Sequence, residues 1–316
     1  MPCVPLSPPA TAPHIGLFDS GIGGLSVLRA LRRQWPAARC TYIADTAFTP
    51  WGDRPADWVV ARCAQLSDWL IAQGADLVLV ACNTGTTQAI AALRTRWPAV
   101  PFVGVEPGIK PAIATSHKRR VAVMATRGTL ASPRLRQLMD HHATDGTRLL
   151  QLPCPGLVDA IERAAGFADG VPGHADAARA LATQLDRIAA TLRGADVDTV
   201  VLGCTHYPLV ADALQQRLGP GVQFIDTADA VVRRVASLLP AGSAGCRVGP
   251  GPDTGSKQGA GGTADGPLRL LATGGTATLQ QAAQRWLVTV VLVERLALPP
   301  PGDAPARRAP ARAPRA

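Results

Sequence analysis

"DLVLVACNT", residues 76–84, runs from an aspartate through four apolar residues to a small residue, a cysteine and two polar side chains. "DTVVLGCTH", residues 198–206, has the same shape: Asp198 falls on Asp76, Val200 on Val78 and Cys204 on Cys82. A short continuous apolar run between polar ends is the pattern of a strand buried on both faces. Each run leads into a segment of helical character. Each cysteine is therefore expected at the C-terminal end of a central strand, just before a helix. In open α/β sheets that edge is where ligands bind, and a helix N-terminus lowers the pKa of a thiol.

Outward from the first run, "IGLFD" (15–19), "CTYIAD" (40–45) and "PFVGV" (101–105) read as strands, with helices over 23–35, 55–73 and up to about Arg96. The rhythm then restarts. "RVAVMAT" (120–126), "RLLQLPC" (148–154) and "VQFID" (222–226) read as strands, with helices over 132–142, 156–165 and 174–192. Strands alternating with helices imply a parallel sheet. The double rhythm predicts two doubly wound, mostly parallel α/β lobes related by pseudo-symmetry, with the site in the cleft between them. Residues 1–13 are a Pro-rich leader and 241–266 a Gly-rich insertion, after which strand and helix patterns resume at 268–275 and 278–287. Residues 298–316 read as a disordered Pro/Ala/Arg tail.

Composition narrows the function class. The 316 residues are 47% hydrophobic and 17% charged, which suits a soluble globular protein. The net charge of +9 is concentrated in part in the tail arginines 307, 308, 312 and 315, so nucleic acid is not an expected partner. The N-terminus has neither a basic n-region nor an apolar h-region, and the run "WLVTVVLV" (286–293) is too short to span a bilayer. Seven widely spaced cysteines without a C-x-x-C pair predict reduced thiols in a cytoplasm, with neither a disulfide framework nor a zinc site.

Taken from the residues alone, Cys82, Cys204 and His206 admit several chemistries. They are a metal site lacking a fourth ligand, a Cys-His nucleophile pair, a redox pair, or an acid/base pair. Two cysteines at matched positions favour the last. Inversion at a carbon acid needs one group to take a proton from one face and another to deliver a proton to the opposite face. The Gly-rich "DSGIGGLSV" (19–27) departs from G-x-G-x-x-G, with Ser at 26. It reads as a phosphate cradle, as a carboxylate or ammonium site built with Asp19 and Ser20, or as a tight strand-to-helix turn.

The motifs "IGLFDSGIGGLSVL", "ADTAFTPWG", "VLVACNT", "GVEPGIKPA", "VAVMATRGTL" and "VLGCTHYPLV" together resemble the glutamate racemases of the cofactor-independent aspartate/glutamate racemase superfamily, in that family's order over about 14–290. The resemblance implies interconversion of L- and D-glutamate, D-glutamate serving peptidoglycan synthesis, with no metal, nucleotide or pyridoxal phosphate as cofactor. It implies Cys82 and Cys204 as the acid/base groups, assisted by Asp19 and His206 and, from "CPGLVDAIERA", by Glu162. It implies Asp19-Ser20, Trp51-Gly52, Asn83-Thr84 and Thr205-His206 as substrate-binding pairs. It implies a first lobe of 14–108 with 225–297 and a second of 109–224, a small-molecule substrate, and it admits a homodimer. This sequence departs from the family pattern at Trp51, where tyrosine is usual, and at Gly85, where alanine is common. Pocket size separates glutamate from aspartate in this superfamily, so aspartate racemisation is the runner-up.

Overall fold

The structure is a computed structural model, and it describes residues 12–143, 146–166, 171–239, 266–287 and 292–302. The leader up to residue 11, the Gly-rich insertion except Gly266, and the tail from 303 lie outside the described residues. The first half of the chain runs β1 (His14–Asp19), α1 (Leu25–Gln34), β2 (Arg39–Ala44), α2 (Ala56–Ala72), β3 (Leu77–Val80), α3 (Asn83–Arg96), β4 (Phe102–Gly104) and α4 (Ile109–Thr115). It continues β5 (Arg120–Ala125), α5 (Arg127–Leu130), α6 (Pro133–His142), β6 (Arg148–Pro153), α7 (Leu157–Ala165), α8 (His174–Gly194), β7 (Thr199–Gly203), α9 (Ala211–Leu218), β8 (Gln223–Ile225) and α10 (Ala228–Leu238). The last elements are β9 (Leu268–Ala272), α11 (Ala277–Leu287) and β10 (Val293–Arg295). Among the described residues no helix is long and apolar enough to cross a membrane.

Two parallel sheets result, one of six strands in the order β10-β9-β2-β1-β3-β4 and one of four in the order β6-β5-β7-β8. The four-stranded order repeats the β2-β1-β3-β4 segment of the larger sheet. The register repeats too. Val78 pairs with Phe102 across β3 and β4, and Val200 pairs with Phe224 across β7 and β8. The echoed aspartates anchor the same place in both lobes. The Asp76 carboxylate accepts from the His14 amide at 2.9 Å, and the Asp198 carboxylate from the Lys118 amide at 2.7 Å, each fixing the start of the central pairing. β1 and β3 are buried along their whole length, because helices cover both faces of a parallel sheet. That burial explains why these strands read as unbroken apolar runs.

β9 and β10 return the chain to the larger sheet through parallel pairing with β2 and with each other. Folded chain extends further than the composition of 298–316 suggested. Leu298 packs against a core cluster containing Leu296, and the Pro299 carbonyl accepts from Arg62 Nη1 at 2.7 Å. The tail reading was wrong for these residues because a buried guanidinium takes a main-chain partner there.

That guanidinium belongs to a fully buried ion pair. Asp45, just past β2, accepts from Arg62 Nε at 3.0 Å and Nη2 at 2.6 Å, from Trp51 Nε1 at 3.1 Å and from Thr273 Oγ1 at 2.7 Å. One carboxylate thus ties α2, the 3-10 turn at Trp51–Asp53 and the segment after β9 to the same point. Removing one partner of such a pair leaves an uncompensated charge in the core. Arg62→Met is expected to cost about 3–5 kcal/mol in urea denaturation. A loss below about 1 kcal/mol would show that the pair does not hold this corner.

Candidate active site

Each thiol follows the third core strand of its lobe. Cys82 is the N-cap of α3: its sulfur accepts from the Gly85 amide at 3.5 Å, and the thiol lies 3.8 Å from Ser20 Oγ. Sulfur here takes the N3 amide, as a capping oxygen would. Cys204 differs from the expectation that it too precedes an α-helix. Pro208 lies in a 3-10 turn over Tyr207–Val210, and α9 begins only at Ala211. The tight turn, with Tyr207 N–H on the Cys204 carbonyl at 3.0 Å, leaves His206 Nδ1 3.8 Å from the Cys204 sulfur.

The histidine is held from its other side. His206 Nε2 lies 2.7 Å from Glu162 Oε1, and the same oxygen accepts from the Ile22 amide at 2.8 Å. Burial alone would lower the His206 pKa, but hydrogen bonds to Cys204 and Glu162 outweigh it and hold the pKa well above the usual histidine value. As an imidazolium, His206 donates Nε2–H to Glu162 and Nδ1–H to the Cys204 sulfur, so negative charge on that sulfur has a partner.

Cys82 sits in a different field. Burial pushes its thiol pKa well above the ordinary range and the nearby Asp19 carboxyl adds to this, while the Gly85 amide works in the opposite direction. The helix N-terminus was expected to lower this pKa, but loss of water dominates. Asp19 is raised as well, first by burial. Its Oδ2 accepts from the Gly24 amide at 2.7 Å and from Thr205 Oγ1 at 3.4 Å, the Cys82 thiol and Ser20 amide also act on the carboxyl, and among the described residues no geometrically well-formed hydrogen bond reaches Oδ1.

The glycines of 19–27 are explained by contact between the lobes. A Cβ on Gly21 would overlap Glu162 Oε1, and one on Gly23 would overlap His206 Nδ1. Ser26 Oγ also donates to the Thr205 carbonyl at 3.1 Å. Close approach at a tight turn accounts for Gly21 and Gly23 in this loop. No phosphate cradle is needed to explain it.

The remaining expected residues divide. Thr84 Oγ1 lies 2.9 Å from Thr126 Oγ1 and 3.2 Å from Thr129 Oγ1, bridging the lobes. Asn83 Nδ2 donates to the Val105 carbonyl at 3.1 Å, and its Oδ1 is buried without a partner. Gly52 comes to the cleft, where a Cβ would lie 2.7 Å from Thr126 Cβ. Trp51 does not turn its side chain there. The indole is buried in the first lobe against Phe18 and Trp58, with its N–H on Asp45. At the cleft mouth a cavity is lined by Gly52, Asp53, Thr126, Arg127, Cys154 and Pro155, and neither Cys82 nor Cys204 opens onto it. His141 and His142 lie in the last turn of α6, away from the cluster. Among the described residues no three His, Cys, Asp or Glu side chains form a metal-binding group.

Thr126 and Asp45 were missed in the sequence. Thr126 was within reach of the symmetry argument, since it follows β5 as Ser20 follows β1. Asp45 carried no such signal, because its partner Arg62 is placed by helix packing.

Two parallel α/β sheets with repeated strand order, each followed at its third strand by a buried cysteine, define a two-lobed α/β fold. Residues 24–235 match the Asp/Glu/Hydantoin racemase family, and the chain belongs to it. A glutamate racemase of Pseudomonas paraeruginosa is 42% identical over 230 residues, covering 73% of this chain and 83% of its own. A solved glutamate racemase isoform of Bacillus anthracis superposes with a TM-score of 0.73 at 26% identity, covering 92% of this chain and 99% of that one. The Escherichia coli glutamate racemase, solved with L-glutamate and the activator UDP-MurNAc-ala, gives 0.70 at 29% identity, with 90% and 98% covered.

The His206–Glu162 contact has a pH signature. A folded pKa above the unfolded value of about 6.5 contributes stability that is fully present below that pH and lost as pH rises through the folded pKa. Glu162→Gln is expected to cost about 2 kcal/mol at pH 6 relative to the parent, with the difference shrinking as the pH is raised through the folded His206 pKa. Unfolding free energies of the two proteins across pH 6–9 would show a constant gap if the histidine were neutral throughout.

Proposed function

We propose that this protein is a glutamate racemase. It interconverts L- and D-glutamate by a two-base exchange at Cα, with Cys82 and Cys204 as the acid/base groups, and supplies D-glutamate for peptidoglycan synthesis. The observation that carries the mechanism is the placement of the two thiols at matched strand ends in lobes that face each other. The sequence and structural relatives are glutamate racemases, which supports glutamate as the substrate.

In one direction a thiolate takes the α-proton: the Cα–H bond breaks and an S–H bond forms. The opposing thiol gives its proton to the other face of the carbanion, so the second S–H breaks as the new Cα–H forms. The reverse reaction exchanges the roles. Ser20, Asn83, Thr84, Thr205 and the backbone amides near Gly52 are the groups we assign to the substrate carboxylates and to charge developing on the carbanion. Their buried neighbours, Asp19 Oδ1 and Asn83 Oδ1, are acceptors suited to the substrate ammonium. Glu162 and His206 are assigned to charge balance at Cys204, and Asp19 to the Cys82 side. Residues 14–108 with 225–297, and 109–224, are the proposed lobes. A cytoplasmic site of action agrees with Cys40, Cys63, Cys82, Cys154 and Cys204 all being free thiols.

In heavy water with EDTA and no added cofactor, either enantiomer of glutamate is expected to lose its α-proton to solvent while optical rotation decays to zero. Absence of exchange with both enantiomers would sink the assignment, and exchange confined to aspartate would select the runner-up. Cys82→Ala and Cys204→Ala should each lower racemisation by about 10²–10⁴-fold or more. Near-normal racemisation by Cys82→Ala would refute the two-thiol mechanism.

A further inference from the structure

Trp51 and Gly85 touch each other behind Cys82. The indole is 1% exposed and fixed on several sides. Its N–H is on Asp45 Oδ2 at 3.1 Å, and its ring packs edge-on to Trp58 with centroids 6.4 Å apart and against Phe18 at 6.3 Å. The remaining side meets the first turn of α3. A Cβ built on Gly85 would lie 3.1 Å from Trp51 Cζ3, 3.2 Å from Cys63 Sγ and 3.2 Å from Val80 Cγ1. All three distances are shorter than ordinary van der Waals contact, and none of the three neighbours is free to yield. Val80 is in the central sheet, Cys63 is fully buried, and the indole is tethered through Asp45 to Arg62.

Gly85 also supplies the amide that donates to Cys82 Sγ at 3.5 Å. The same residue thus presents its Cα to the indole and its N–H to the sulfur. A displacement of the helix start away from Trp51 moves a backbone donor that faces this thiol.

We propose that Trp51 is a positioning residue that acts through Gly85 on Cys82: the indole occupies the space a side chain at position 85 would need, and so fixes the amide aimed at the sulfur. This rests on the reading of Cys82 as an acid/base group. An N–H held on the sulfur favours the thiolate, the form that accepts the α-proton. The contact therefore bears on the chemical step more than on substrate affinity.

The test compares wild type, Gly85→Ala, Trp51→Phe and the double variant W51F/G85A, with kcat, KM and the pH profile of kcat/KM measured on both glutamate enantiomers. Gly85→Ala is expected to lower kcat at least about tenfold with a smaller change in KM, and to move the acidic limb of the profile to higher pH. The smaller ring in W51F/G85A removes the shortest of the three contacts and opens space away from Cys63 and Val80, so the double variant should recover part of that loss, giving non-additivity. An unchanged kcat and pH profile in Gly85→Ala, or additive losses in the double variant, would overturn the inference while leaving the racemase reading intact. If Gly85→Ala does not fold, the double variant decides. Folded and active, it reports the same contact; folded with no more activity than Cys82→Ala, it overturns the proposal. A wild-type protein without α-exchange would remove the activity reading and this inference together.

Discussion

One carboxylate oxygen joins the two halves of this molecule. Glu162 Oε1, from the second lobe, accepts from the Ile22 amide of the first and from His206 beside Cys204. A buried carboxylate is costly unless its partners are fixed and well aligned, and here they are a main-chain N–H and a histidine ring nitrogen. The requirement propagates outward. The glycine loop must approach so closely that positions 21 and 23 cannot carry a Cβ. Glu162 holds His206 at Nε2, which leaves Nδ1 facing Cys204. The distance between the lobes, the charge of the histidine and the surroundings of one thiol are consequences of the same contact.

The fold is close to symmetric, but the environments of its two sulfurs are not. Cys82 caps a helix, is deeply buried and lies beside Asp19, so burial and a carboxyl both oppose its ionisation while a backbone amide favours it. Cys204 precedes a 3-10 turn and faces a histidine whose pKa is raised. Strand order and register repeat between the sheets because parallel pairing with helical crossovers leaves few alternatives. Neighbours contributed by loops are free to differ. Unlike neighbours distinguish two sulfurs that the symmetric strands alone would leave alike.

Much of this was legible in the sequence, and the failures share a cause. The alternation of apolar runs and helical segments led to two parallel sheets, and the match of 76–84 with 198–206 led to both thiols. Those are periodic, local signals. The helix expected after Cys204 begins later than its counterpart after Cys82, at Ala211, because a 3-10 turn over Tyr207–Val210 comes first. The lowered pKa expected for Cys82 was wrong because burial is a property of what packs above a residue. Trp51 was assigned to the substrate site by its motif. Its backbone neighbour Gly52 does reach Thr126, but the indole turns inward to Asp45, the carboxylate that also pairs with Arg62.

The sequence by itself determined the architecture and the position of two cysteines at matched strand ends, since hydrophobic periodicity specifies parallel α/β units and matched strand ends place matched residues. The tertiary structure alone decided the partners of those cysteines. Glu162 meets Ile22 across 140 positions of chain, and Ser26 meets Thr205 across 179. No local pattern encodes such meetings, because they depend on how two independently formed sheets are docked, and the charge and hydrogen bonding at each sulfur follow from that docking.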